Sequence, residues 1–356
     1  MRKKLIFIKH NDSSFIMVDQ QILESRYHVV PYCYKGGGSR FSFFFSMLRM
    51  SLFLLRHIRD TRALVTWFGD YHAAILTFAG MIFRKKVVIF AGGQEAIAYP
   101  ELKKGVFTKK WRGRFVSFAL RHASLVIPNH ASLLYHRNFY YTPEGKVDGI
   151  THYIPGFKTP VEILPNGIDT GKFYRDSTIP KEEGAVLAAG TMGSTADFIN
   201  KGFDLFTEMA RRNPDLRFAM IGINRDFLPW IETNYQISFI PNLRLIFFTL
   251  DPRVLFEEYN RARVFVQASI TEGMPNTLSE AMLCECIPVG SNVNGIPDAM
   301  GGTGVIVMHR EVDVLEAAVR KALTLETGVI AARYVRDHFT IALRKEGLLR
   351  IFEKIL

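Results

Sequence analysis

Between Glu272 and Glu280 the sequence reads Gly273–Met274–Pro275–Asn276–Thr277–Leu278–Ser279, shortly after an apolar run, Val264–Gln267. Gly273 permits backbone angles that other residues avoid. Pro275 and Asn276 are residues that open helices. A helix starting here presents the unpaired N–H groups of Asn276, Thr277 and Leu278. Those amides and the helix dipole form an anion site suited to a diphosphate. Glu272 precedes the helix and is expected to reach a sugar ring beyond the phosphates. Glu280, about one turn inside, reaches the other way, toward a ribose, and a carboxylate accepts the two hydroxyl hydrogen bonds that a vicinal diol requires. The pattern suits a hexose, a diphosphate and a ribose in line. The competing reading is a surface helix with an ordinary acidic first turn; Gly-x-Pro-Asn between the two glutamates, after a strand, argues against it.

Lys201–Gly202 is a second candidate. A leaving diphosphate gains negative charge in the transition state, and a fixed cation there stabilises it. An isolated Lys-Gly would otherwise read as a solvated helix start. Lys35–Gly36–Gly37–Gly38–Ser39 has the glycines of a phosphate loop but not the Lys-Ser/Thr that must follow them, so it reads as a flexible loop.

The elements that must position these residues alternate between short apolar strands and helix-length segments. In the first half the expected strands are Lys4–Ile8, His28–Tyr32, Ala63–Trp67, Lys86–Phe90 and Leu125–Pro128, with helices over Phe41–Arg59 and Tyr71–Phe83. In the second half they are Ala185–Ala189, Arg217–Ile221, Leu243–Phe247, Val264–Gln267, Ile287–Gly290 and Gly304–Val307, with helices over Phe203–Arg212, Val254–Asn260 and Asn276–Glu285. A βαβ rhythm means mostly parallel sheets with helices on both faces, an α/β class. Pro165–Asn166–Gly167 is strong turn chemistry and divides the two halves. The expected domains are residues 1–165 and 166–340, with a last helix over about 340–356 returning to the first. If the carboxyl ends of the two sheets face each other, the cleft between them is the site.

The sequence here resembles family 4 glycosyltransferases, whose GT-B fold is two facing Rossmann-like domains and whose signature is Glu-x7-Glu. The resemblance rests on Glu272-Gly-Met-Pro-Asn-Thr-Leu-Ser-Glu280. It extends to Leu164–Pro165–Asn166–Gly167–Ile168–Asp169 with Phe173, Lys201–Gly202–Phe203, Ala281–Met282, Ile287–Pro288–Val289 and Gly295–Ile296–Pro297–Asp298. It covers about residues 160–310 and is weak before that. It implies a retaining transfer in which Glu272 contacts the donor sugar, Glu280 the ribose and Lys201 the diphosphate, with no bound metal or other cofactor. One departure stands out. Such proteins carry an Arg just after the strand glycine, whereas Gly190 is followed here by Thr191–Met192–Gly193 and the stretch to Lys201 is longer. Either the Gly190–Gly193 amides form a nest that compensates, placing Gly190 and Thr191 at the donor, or Arg225 substitutes.

The N-terminal half is expected to hold the acceptor. Asn11, Ser13 and Ser14 follow the first strand, Gln94 and Glu95 follow the fourth, and His72 follows the third. Relatives place a His at the edge where Gln94 and Glu95 stand. For His72 a helix-start histidine without a role is an equal reading.

Charge supports an anionic partner on that side. Residues 1–165 hold 24 Lys/Arg against 10 Asp/Glu, a surplus of 14, whereas the rest of the chain has a deficit of 3 within a total of +11. Membrane lipid, a phosphorylated substrate and nucleic acid all fit such a surplus. No nucleic-acid motif accompanies it, so nucleic acid is not expected. Phe41–Arg59 and Lys103–Arg121 interleave basic and aromatic residues at helical spacing, as an interfacial helix on anionic lipid does, and as a core-facing helix with a solvated basic face also does. Met1–Ile8 has too short an apolar part for a secretory signal, and Phe41–Leu55 is too short and too interrupted to span a bilayer. Three cysteines make no disulfide framework and fit a reducing compartment, with Cys284 and Cys286 read as buried hydrophobes.

The expectation is a cytoplasmic, peripherally membrane-associated enzyme. It moves a hexose from a nucleotide-diphosphate sugar to a glycan or lipid-linked acceptor in cell-surface polysaccharide synthesis. A sugar-nucleotide epimerase of the same fold and a non-catalytic sugar-nucleotide-binding relative are the alternatives.

Overall fold

The computed structural model describes residues 2–34, 39–249 and 251–356, so the glycine-rich segment Lys35–Gly38 lies outside the described residues. The first half contains β1 (Lys4–Lys9), α1 (Ser14–Glu24), β2 (His28–Cys33), α2 (Arg40–His57), β3 (Thr61–Trp67), α3 (Tyr71–Ile82), β4 (Lys86–Ala91), α4 (Lys110–His122), β5 (Leu125–Pro128), β6 (His136–Asn138), β7 (Lys146–Asp148) and α5 (Ile150–Tyr153). The second half contains β8 (Ala185–Met192), α6 (Thr195–Asn200), α7 (Phe203–Arg212), β9 (Arg217–Ile223), α8 (Leu228–Tyr235), β10 (Leu243–Phe247), α9 (Pro252–Arg261) and β11 (Val264–Gln267). It continues with α10 (Asn276–Leu283), β12 (Ile287–Ser291), α11 (Ile296–Met300), β13 (Val305–Val307), α12 (Val312–Leu323), α13 (Gly328–His338) and α14 (Ile341–Ile355).

Two parallel sheets result, one ordered β2-β1-β3-β4-β5 and the other β10-β9-β8-β11-β12-β13. Their inner strands are apolar almost without interruption because helices cover both faces. Pro31 sits in β2, an edge strand, where a missing N–H costs least. The order reverses between β1 and β3 in the first sheet and between β8 and β11 in the second. Ligands bind beyond the carboxyl strand ends at such reversals. The loops after β1, β3, β8 and β11 lie at these reversals; His10, Phe68 and Glu272 are on three of them, and Thr191 is near the end of β8.

The antiparallel pair β6–β7 carries no clear strand signal in the sequence, yet it ties the halves together. Asn138 donates to the Ile270 carbonyl at 2.7 Å, and the Tyr140 hydroxyl donates to that of Ala268 at 3.1 Å. The last helix, α14, packs on α1, burying Leu348, Ile351 and Phe352 in the core that holds Leu5, Phe7 and Trp67. Inside that contact Arg344 makes a bidentate pair with Asp19 at 2.5 and 2.6 Å and donates to the carbonyls of Leu164 and Pro165.

One expected helix is shorter. Lys103–Arg121 is helical only from Lys110, because Lys103 and Gly105 adopt φ of +52° and +92°, which no α-helix accommodates. In α2 one face is core, with Met50 and Leu54 buried, but the opposite face is apolar rather than a solvated basic one. Phe41, Phe44, Phe45, Leu48, Leu52 and Leu55 are all exposed. Among the described residues no helix is long and apolar enough to cross a membrane.

Candidate active site

The carboxyl edges of the two sheets meet around a cavity of about 410 Å³. Its C-terminal wall is Gly190, Thr191, Lys201, Glu272, Asn276 and Thr277; its N-terminal wall includes Phe68, Gln94 and Asn129. Of the residues singled out for donor chemistry these six come into one space, whereas Gly273, Leu278 and Glu280 are not among those lining it.

Helix α10 begins at Asn276 with Pro275 before it, and no side chain caps its first turn, so the first N–H groups are left for a ligand. Gly273 must be glycine: a Cβ there would stand 2.6 Å from the Gly92 carbonyl oxygen and 2.8 Å from Asn129 Oδ1, both across the cleft. Lys201 is set by the next residue. Gly202 has φ +75°, and a Cβ on it would stand 2.4 Å from the Ala268 carbonyl oxygen, so the turn passes directly over the end of β11. Lys201 Nζ then lies 2.5 Å from Glu272 Oε2, with both side chains about one quarter exposed. Thr277 donates to Gln267 at 3.2 Å, while the Leu278 side chain is fully buried and only its backbone faces the helix start.

Glu280 lies one turn further along α10, beside Tyr259. The Tyr259 hydroxyl donates to it at 3.4 Å. Burial pushes its carboxyl up to about 7, opposed by the nearby Lys172 charge and by the Tyr259 hydrogen bond. The folded chain therefore holds this proton more tightly than an unfolded chain with the ordinary value of 4.5. Stability should fall as pH rises from about 4.5 to about 7, where only the unfolded state has released the proton. Denaturant titrations of the wild type and Glu280→Gln at pH 5 and pH 8 check this: wild type is expected to lose roughly 1–3 kcal/mol relative to the variant on going to pH 8.

The longer stretch between Gly190 and Lys201 has a structural origin. Strand β8 runs to Met192 and an extra helix, α6, follows, capped by the Ser194 hydroxyl on the Asp197 N–H. Lys104 from the other half pins this helix through Asp197 at 2.8 Å. Arg225 does not fill the place of the missing arginine. Its guanidinium lies 4.2 Å over the Phe247 ring and is not among the residues lining the cavity.

On the N-terminal side the expectations divide. Gln94 lines the cavity and accepts from the Gly105 N–H at 3.0 Å. Glu95 does not face it: the residue is fully buried, and its carboxylate accepts from the Gly92 N–H at 2.8 Å, bracing the loop that carries Gln94. Burial pushes this carboxyl up to about 7. Asn11 and Ser13 also stay out of the cavity walls, because Asn11 Oδ1 accepts from both the Ser13 N–H and hydroxyl in a turn that starts α1. His72 is buried beside Trp67, within 3.1 Å of its carbonyl oxygen, and burial holds its pKa down at about 4, so the ring is neutral. It lines a second, polar recess of about 190 Å³ with His10, Tyr34, Asp70, Gln94 and Arg112. Phe68 and Gln94 belong to both spaces.

Several site residues escaped the sequence reading. Asn129 and Asn166 are nearly fully buried in the cavity wall, and each leaves its Oδ1 without a partner. Asn166 Nδ2 donates to Asn276 at 3.0 Å, linking the interdomain turn to α10. Pro165–Asn166–Gly167 marked this residue only as a turn. The signal for Asn129 and His10 was their place just past a strand end.

Two facing Rossmann-like domains with an uncapped helix start in the cleft define a GT-B architecture. Residues 185–324 match the family described as glycosyl transferases group 1. Sucrose-phosphate synthase from Thermosynechococcus elongatus superposes with a TM-score of 0.76 over 99% of both chains at 14% identity. Anabaena HepE in complex with UDP and glucose gives 0.71 over 99% of this chain and 100% of that one at 12% identity. At such identities the likeness establishes the fold. A human phosphatidylinositol N-acetylglucosaminyltransferase component is 24% identical over 179 residues, 48% of this chain, and the match spans 35% of the human protein's length.

Proposed function

We propose that the chain transfers a hexose from a nucleotide-diphosphate sugar to a hydroxyl of a glycan or lipid-linked acceptor, with retention of anomeric configuration, in cell-surface polysaccharide synthesis. The observation that carries this reading is the convergence of Lys201, Glu272 and the open start of α10 on one interdomain cavity. Residues 166–340 would hold the donor, and residues 1–165, with 340–356 returning to them, the acceptor. The diphosphate takes the Asn276–Leu278 amides and the Lys201 ammonium, which releases Glu272 from its ion pair to meet the sugar. Glu280 takes the ribose diol, with Gly190 and Thr191 beside the nucleotide.

In the transfer step the bond from the anomeric carbon to the diphosphate oxygen breaks, and its electron pair leaves with the phosphate. The acceptor oxygen bonds to the same face, and its proton departs on the diphosphate. Lys201 stabilises the charge that develops there, and no step calls for a metal ion. The exposed apolar face of α2 and the basic surplus suit peripheral contact with the inner face of a membrane.

A thermal-shift screen of nucleotide-sugars tests the donor. A ligand at a hundred times its Kd is expected to add about 2.7 kcal/mol of stability. Proton NMR of the product with the ligand so found reads the anomeric configuration. Stabilisation by no nucleotide-sugar counts against the reading, and conversion of the free nucleotide-sugar without any acceptor identifies an epimerase instead.

A further inference from the structure

Helices α2, α3 and α4 enclose a groove of about 560 Å³ that the catalytic reading does not use. Its walls are apolar: Ile75 and Phe78 from α3, and Trp111, Phe115 and Phe118 from α4. Phe78, Trp111 and Phe115 are 58%, 67% and 47% exposed, an unusual cost for aromatic rings. The volume lies within the range of about 300–1,000 Å³ typical of small-ligand sites.

The groove and the recess beside the donor cavity draw their walls from the same two helices, although no residue lines both. On α3, His72 lines the polar recess and Ile75 lines the groove, one turn apart. On α4, Arg112 lines the recess while Trp111 and Arg114 line the groove. The recess in turn shares Phe68 and Gln94 with the donor cavity. Donor cavity and recess thus share walls, and the groove lies on the next turns of the helices that line the recess.

The recess combines apolar walls from Phe68 and Val106 with unpartnered polar atoms. His72 is 1% exposed, and its Nδ1 has no partner, as has Nδ1 of His10 across the same space. Arg112 and Asp70 are committed to each other at 2.6 and 3.0 Å, so the recess carries no net free charge from that pair. Charge lies instead at the mouth of the groove. Arg114 lines the groove 4.9 Å over the Trp111 ring, Lys109 and Lys110 directly precede Trp111 at the start of α4, and none of the three makes an ion pair among the described residues.

We propose that this groove holds the hydrocarbon chain of a phosphate-bearing lipid acceptor, whose phosphate meets Arg114, Lys109 and Lys110 and whose polar head enters the recess beside the donor cavity. The inference rests on the glycosyltransfer reading and narrows its acceptor to a lipid-linked one. Hydrocarbon against Phe78 and Phe115, phosphate against unpaired cations and hydroxyls against neutral imidazoles are each the complementary chemistry.

The test uses the full chain and dodecyl phosphate below its micelle concentration, followed by Trp111 fluorescence and calorimetry. Saturable binding of one molecule per chain is expected, with at least a tenfold loss in Phe78→Asp and in Arg114→Glu. Both substitutions fall on exposed or partly exposed positions and should leave the fold intact, which circular dichroism checks. Nucleotide-sugar binding is measured on the same variants and is expected to be unchanged. Inorganic phosphate binding as tightly as dodecyl phosphate, or equal dodecyl phosphate binding by Phe78→Asp, overturns the proposal. So does binding to phosphatidylglycerol vesicles without binding to the dispersed probe, which would make the face a bilayer contact only. If nucleotide-sugar binding and transfer persist while the probe fails, the groove proposal alone falls; if no nucleotide-sugar binds, the underlying reading falls with it.

Discussion

Lys201→Met is expected to slow transfer by about 10²–10³-fold in kcat, the usual cost of removing one preorganised group that meets developing charge. The reason lies in what the ammonium does before and after the donor arrives. Without a ligand it is neutralised by Glu272 at 2.5 Å. A diphosphate brings more charge than one carboxylate and should draw the ammonium away, leaving Glu272 to the sugar. The methionine variant therefore loses stabilisation of the departing diphosphate and leaves Glu272 without its ammonium partner. Glu272→Ala is expected to abolish turnover with a smaller effect on nucleoside diphosphate affinity, since its contacts lie on the sugar side. Steady-state kinetics on both variants, beside calorimetry with the nucleoside diphosphate, separate the two roles. The pair is partly exposed, and such pairs hold folds together weakly. Near-native melting temperatures are accordingly expected, and unchanged rates would remove the roles assigned to both residues.

Arg344→Met is expected to cost about 3–5 kcal/mol of folding stability, read as a shift in denaturant midpoint. Arg344 and Asp19 are nearly inaccessible, at 2% and 0% side-chain exposure, and the pair joins α14 to α1. Removing the guanidinium strands the Asp19 carboxylate in the core with only the Trp67 indole N–H as a partner, at 3.0 Å. It also frees the carbonyls of Leu164 and Pro165, which Arg344 holds at the turn between the halves. A buried charge without its counterion is far costlier than an apolar replacement of both partners. The double variant Asp19→Leu/Arg344→Met should therefore recover much of the loss. Arg344→Met is also expected to weaken nucleotide-sugar binding by a few-fold, because that turn leads into Asn166 and so to Asn276. If the single variant is as stable as wild type, the clamp does not act as described.

Much of this arrangement was legible in the residues. Leu125–Pro128 and Val264–Gln267 occupy their expected positions because strands buried on both faces read as short apolar runs bounded by turns, and the half-buried edge strand Leu243–Phe247 was found despite Arg244. The start of α10 was marked by Pro275 and Asn276; Glu272 lines the interdomain cavity, whereas Glu280 sits beside Tyr259 outside its lining. What escaped was long-range. No local pattern announces that Asn129 and Asn166 leave unpartnered oxygens in one wall, or that Arg344 crosses 325 positions to meet Asp19. Glu95 misled because a carboxylate after a strand reads as a ligand-facing group, whereas its backbone partners pull it inward. Lys103 misled because a basic, aromatic spacing does not reveal a left-handed residue.

The central claim is that the nucleotide-sugar lies between the two halves on the start of α10. Amide hydrogen exchange with and without a saturating nucleotide-sugar tests it most directly. Slower exchange is expected over residues 276–280 and 190–202, with a smaller effect at 92–94 across the cleft. Unchanged exchange over these segments in a demonstrably ligand-bound sample, or protection confined to other faces, would contradict it.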